Sequence, residues 1–241
     1  KRNSVVDMAM LDHAVREHLN ATTPRVMTVM NPLKVVIENY PEGQVEELDA
    51  PYNMSEPEMG TRKLPFAREL YIERDDFMEA PPKKFFRLAP GREVRLRHAY
   101  YMTCQEVVKD EQGEIVALRC TYDPESRGGT ADGRKVKGTL HWVSAEHAVP
   151  LKTRLYDRLF TVAEPLKQDT SFLEFVNPES LVETTAYAEP SVVELQPEQR
   201  VQFERVGYFV ADLKDSQPQA PVMNRVLPLR DSWAKIAKSK S

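Results

Sequence analysis

Cysteine is scarce in this 241-residue chain: Cys104 and Cys120 are the only two, too few for a disulfide framework, and point to a reducing compartment. Glycine is also scarce, at nine residues, and no GxGxxG or GxxxxGK[ST] run occurs, which excludes a glycine-rich phosphate loop. Long apolar runs are missing too. No stretch approaches the roughly 18 apolar residues of a membrane-spanning helix, and the mean hydropathy is -0.52, so a helical membrane protein is excluded. The first residues lead into an amphipathic segment without an apolar core, so no signal peptide is expected. Neither sign of charge dominates. Lys and Arg total 33 against 37 acids, a net of -4, which argues against binding nucleic acid by bulk positive charge and leaves room for a local basic groove.

Proline, by contrast, is abundant at eighteen residues, and the pattern reads as many short extended segments. One helix is predicted over Val5–Leu19, with Met8, Leu11, Val15 and Leu19 on one face, Ser4 at its start and Asn20 as its stop. After Pro24 the apolar period becomes two. Strands are predicted at Arg25–Met30, Leu33–Ile37, Leu70–Glu73, Glu93–Met102, Ile115–Tyr122, Lys135–Ser144, Val149–Phe160, Leu181–Ala188 and Arg200–Val210. Asp123–Gly133 is polar and is predicted to be a mobile loop. The fold class is therefore mostly β, built as one or two barrels preceded by a short N-terminal helix.

The sequence has no G-x-S-x-G and no HExxH, and no cysteine sits in a nucleophile motif. His98, Cys104, Cys120 and His141 match no usual zinc spacing, so no metal site is assigned. Lys83, Lys84, Arg87, Arg92, Arg95 and Arg97, interleaved with Phe85, Phe86, Tyr100 and Tyr101, form the densest basic cluster. Arg95 and Arg97 are two apart in a predicted strand and should leave the same face. This suits single-stranded RNA, whose bases stack on guanidinium and aromatic planes. The alternative is a solvated face whose arginines pair with Glu73, Glu93 or Glu106. From spacing alone this second reading is the stronger.

The runs Pro24-Arg25, VIENY (36–40), PEMG (57–60), GREVRLR (91–97), DGRKVKG (132–138) and HWVS (141–144) come in an order that resembles the glutaminyl-tRNA synthetase family. RLYDRLF (154–160), NPESL (177–181), FER (203–205), Asn224-Arg225 and LRDSWAK (229–235) continue the series. The resemblance covers essentially the whole chain and implies the C-terminal, anticodon-binding half of a class I aminoacyl-tRNA synthetase. It implies the end of a helical connecting region over 1–23, two antiparallel β-barrels over 24–233 with boundaries near 68 and 145, and a tail over 234–241. The expected partners are the anticodon loop of a glutamine tRNA and the catalytic half of the same polypeptide, in a cytoplasmic monomer. ATP and Mg²⁺ belong to that catalytic half, whose HIGH-like and KMSKS-like signatures are absent here, so the chain should hold no cofactor and no catalytic residue.

By the same resemblance, Arg95 and Arg97 lie near the first anticodon base and Arg87 near the third, and Lys84 is a further residue expected to meet the tRNA. Arg25, Gln202 and Arg205 surround the middle base, a uridine in a glutamine anticodon. The chemistry suits the task, since glutamine both donates and accepts while arginine offers a planar fork. Lys84, Phe86, Ser55 and His98 depart from residues common in the family, and Phe86 is expected to point into the core. The rival readings are a glutamyl-tRNA synthetase of the archaeal and eukaryotic type, or an interaction barrel that has lost RNA.

Overall fold

The computed structural model describes residues 8–128, 133–162 and 164–230. Ser4 and the C-terminal tail therefore lie outside the described residues. Among the described residues, α1 (Met8–Thr22) comes first and sixteen strands follow. They are β1 (Arg25–Val26), β2 (Thr28–Val29), β3 (Pro32–Ile37), β4 (Glu46–Pro51), β5 (Thr61–Phe66), β6 (Glu69–Glu73), β7 (Glu93–Leu96) and β8 (Tyr101–Lys109). Then come β9 (Ile115–Asp123), β10 (Thr139–Leu140), β11 (Trp142–Ser144), β12 (Val149–Tyr156), β13 (Leu181–Ala188), β14 (Arg200–Phe203), β15 (Gly207–Ala211) and β16 (Met223–Pro228).

The strands sort into two seven-stranded sheets and one hairpin. Barrel one runs β10-β7-β8-β9-β3-β6-β11, barrel two runs β1-β14-β15-β16-β12-β13-β2, and β4 pairs only with β5. In each barrel the two end strands are halves of one run, broken at a single residue: Met27 between β1 and β2, His141 between β10 and β11. Each sheet thereby curls almost closed, which removes free edges. Most pairings are antiparallel; β1·β14, β3·β9, β7·β10 and β12·β16 are parallel. The chain changes sheet between Val29 and Pro32 and again between Ser144 and Val149. Near residue 68 the chain returns from the β4–β5 hairpin to β6 of barrel one, where β6 pairs with β3.

Alternation of side chains explains the packing. In β3 every second residue (Leu33, Val35, Ile37) is buried, and β6 does likewise with Leu70 and Ile72. These pack with Leu48, Leu64, Phe66 and Trp142, so the β4–β5 hairpin caps the core of barrel one. Phe66 and Trp142 meet edge to face at 5.2 Å. Barrel two has its own core around Leu151, Val201, Phe203 and Phe209.

Several expected elements differ. The helix runs three residues past Leu19, and Thr23 Oγ1 donates to the Leu19 carbonyl beyond it. Of its expected apolar face, Leu19 and Val15 pack against Tyr208 and Leu227, whereas Met8 and Leu11 stay exposed. Glu93–Met102 is not one strand. It breaks after Leu96 into a turn in which Ala99 N donates to the Leu96 carbonyl and His98 takes φ 60°. Arg200–Val210 breaks likewise at Glu204–Val206, where Arg205 has φ 64°. In the polar loop, Asp123 caps a short 3₁₀ turn and Ser126 is buried, its Oγ accepting from Tyr101 N, so this end is anchored. Residues 129–132 of that loop lie outside the described residues.

Candidate nucleic-acid interface

Two tight turns build the site, one from each barrel. The β7–β8 turn of barrel one carries Arg97 and His98; the β14–β15 turn of barrel two carries Glu204 and Arg205. Among the described residues only four non-glycine residues have positive φ, and His98 and Arg205 are two of them. Positive φ is uncommon outside glycine and marks places where the surroundings dictate the backbone. Here the surroundings are each other. Glu204 N donates to the Val26 carbonyl, and the Glu204 carboxylate is an ion-pair partner of Arg97 across the barrels. Arg97 Nε lies against that carboxylate without the alignment of a hydrogen bond. Its backbone carbonyl accepts from Trp142 Nε1 at 2.9 Å.

Behind Arg97 lies a buried ionic cluster. Arg62 of β5, whose side chain is 2% exposed, donates Nε to Glu189 at 2.5 Å, and its Nη2 lies 3.5 Å from Glu204. Arg62 Nη1 also donates to the Pro51 carbonyl, and the other Glu189 oxygen accepts from Met27 N. Burial raises the carboxyl of Glu204, but the contact with His98 and the charges of Arg97 and Arg62 outweigh it and hold the group below its ordinary 4.5.

The seven residues expected to meet RNA fall into separate places. Arg95 and Arg97 do line one cavity of about 460 Å³, with Asp49, Met54, His98 and Arg127. Arg95 also lies 5.1 Å over the Tyr101 ring. Arg87 and Arg205 line a second hollow of about 250 Å³ with Asp76, Glu73 and His141. Arg25 and Gln202 are register partners on the parallel strands β1 and β14. Arg25 Nη2 donates to Asn20, while its buried Nε has no partner. Lys84 is exposed on the loop before Arg87.

Some aromatic expectations fail. Tyr100 and Tyr101 are 7% and 5% exposed and cannot act as a stacking platform for bases. The Tyr100 hydroxyl donates to Glu46, and burial together with that bond pushes its pKa up to about 12. Phe86 is not a core residue: it is 51% exposed, with Lys137 Nζ 5.1 Å from its ring. The acids expected as solvated partners of the arginines are engaged elsewhere: Glu93 with Arg134, Glu106 with Arg119, Glu73 with His141. The sequence reading missed Arg62, Asp76, Glu189 and Glu204, because their partners come from distant strands and no local spacing announces them. Among the described residues no group of three His, Cys, Asp or Glu side chains is placed to hold a metal ion.

Two family profiles match the chain, both described as "tRNA synthetases class I (E and Q), anti-codon binding domain", over residues 23–123 and 139–212. The chain belongs to this family of anticodon-binding domains. Similar proteins named glutamine–tRNA ligase include one from Nitrobacter hamburgensis, 56% identical over all of this chain and 43% of its own length. One from Pseudomonas putida is 56% identical over 97% of this chain and 41% of its own length. One from Bradyrhizobium diazoefficiens is 56% identical over 99% of this chain and 43% of its own length. The chain thus spans well under half the length of these relatives.

Proposed function

We propose that this chain reads the anticodon loop of a glutamine tRNA as the C-terminal part of a glutamine–tRNA ligase. The catalytic part would activate glutamine with ATP and Mg²⁺ and attach it to the tRNA. On this reading the protein works as a monomer in the cytoplasm. The supporting observation is the meeting of the β7–β8 and β14–β15 turns, where Arg97 of one barrel pairs with Glu204, the neighbour of Arg205, of the other. Arg95 and Arg97 offer planar donors at a cavity of about 460 Å³, and Arg25 is the register partner of Gln202. Splayed single-stranded bases suit separate pockets of this kind; a duplex does not. A glutamyl enzyme shares the family description, but the relatives named above are glutamine ligases.

The charge arrangement makes a testable statement. Many cations near the site are already paired within the protein: Arg62, Arg97, Arg127, Arg134 and Arg205 all face carboxylates. These pairings withdraw five arginines from the phosphates. Titrating an anticodon stem-loop at several salt concentrations should give a log–log slope of only about -1 to -2, at roughly -0.7 per phosphate on single strands. A slope steeper than about -4, meaning six or more phosphates, would show a broad electrostatic face instead of base pockets.

A further inference from the structure

We propose that Asp76 is a positioning residue that couples recognition of the middle and third anticodon bases; this rests on the anticodon reading above. Asp76 ends the short 3₁₀ turn after β6 and is 1% exposed. Its two oxygens hold Arg205 in a paired fork, Oδ2 to Nη1 at 2.5 Å and Oδ1 to Nη2 at 2.8 Å. The same Oδ1 lies 3.3 Å from Arg87 Nε. Arg205 belongs to barrel two and Arg87 to a loop of barrel one, so one buried carboxylate fixes a guanidinium from each side. Arg87 is steadied further by its Nη1 donating to the Asp75 carbonyl.

The surroundings leave Arg205 little freedom. His141 Nδ1 lies 3.1 Å from Arg205 Nη1, and because guanidinium only donates, Nδ1 must be the acceptor. The proton is therefore on Nε2, which faces Glu73 Oε1 at 3.3 Å. Glu73 in turn accepts from the backbone N of Met30 and Asn31, where the chain passes from barrel two to barrel one. Glu73, His141, Arg205, Asp76 and Arg87 thus form one connected chain that begins at the crossover, passes through Arg205 and ends at Arg87, both arginines being partly exposed. A paired fork fixes a guanidinium plane as well as its position. Releasing one end frees the other, so the arginines assigned to the middle and third bases are set together. Arg97 is held by a different carboxylate, Glu204.

The test measures binding of four stem-loops: the glutamine anticodon, and versions substituted at the first, middle or third base. Asp76→Asn should cut the matched-to-substituted ratio roughly five- to tenfold at the middle and third bases, and less than twofold at the first. Arg205→Lys keeps the charge opposite Asp76 and loses the fork, so it stands in if Asp76→Asn fails to fold. It should lower the third-base ratio as well as the middle one, and Arg87→Gln should lower the middle-base ratio as well as the third, by reciprocal coupling. Equal losses at all three bases on Asp76→Asn would overturn the proposal, since that marks a general structural role. So would losses from Arg205→Lys and Arg87→Gln confined to their own bases. If both variants leave every ratio unchanged, the base-pocket reading falls, and the coupling with it.

Discussion

Replacing Arg62 by alanine is expected to cost about 3–5 kcal/mol of stability, the range for breaking a buried ion pair from one side. The side chains of Arg62, Glu189 and Glu204 are all at most 3% exposed, and Arg62 is the shared cation between the two carboxylates. Removing it leaves the buried Glu189 without its cation and Glu204 with only Arg97 and His98, and strands the carbonyl of Pro51 as well. The loss is measured by urea unfolding, followed by a probe in each barrel because two cores need not melt together. A loss below about 1 kcal/mol would mean that water reaches the cluster. Acid should have a related effect. Because the folded Glu204 carboxyl lies below 4.5, its contribution is full above that pH and is lost as the pH falls through the folded value.

The second large effect is on specificity. Gln202→Ala should narrow the affinity gap between a loop with the middle uridine and one with cytidine there, by about 1–3 kcal/mol if the amide makes paired bonds to the base. Arg97→Ala should act on the first base and leave the middle ratio alone. Lys152→Ala removes an exposed charge that pairs with Glu183 on barrel two, far along β12 in sequence from either turn, and should change no ratio. Stem-loop titrations of the three variants in one buffer give all the comparisons. A uniform loss for every loop on Gln202→Ala would make Gln202 a positioning group at most.

Much of the fold is legible in the sequence where burial is one-sided. Leu33–Ile37 and Leu70–Glu73 alternate and form β3 and β6; Leu181–Ala188 forms β13. The misses have a common cause. At Arg97-His98 and Glu204-Arg205 two polar residues stand side by side, a one-residue slip in an alternation that is otherwise strand-like, and only the second turn has a glycine nearby, Gly207 at the start of β15. His98 and Arg205 adopt positive φ because contacts from the other barrel hold them, which no local pattern can encode. Glu46–Pro51, Thr61–Phe66 and Met223–Pro228 were missed for another reason: proline and charged residues dilute their apolar pattern. At the site, residue type pointed to the cations, while the acids that orient them came only from the structure. Arg97 depends on Glu204 and Arg205 on Asp76, partners 107 and 129 residues away in sequence.

The most direct measurement is the affinity of the unaltered chain for two anticodon stem-loops that differ only at the middle base, uridine against cytidine, at one salt concentration. Separate base pockets predict that the uridine loop binds tighter by about 1–3 kcal/mol, roughly five- to 150-fold. Equal affinity within twofold would contradict the account, because the chain would then hold the loop by its backbone and read none of its bases.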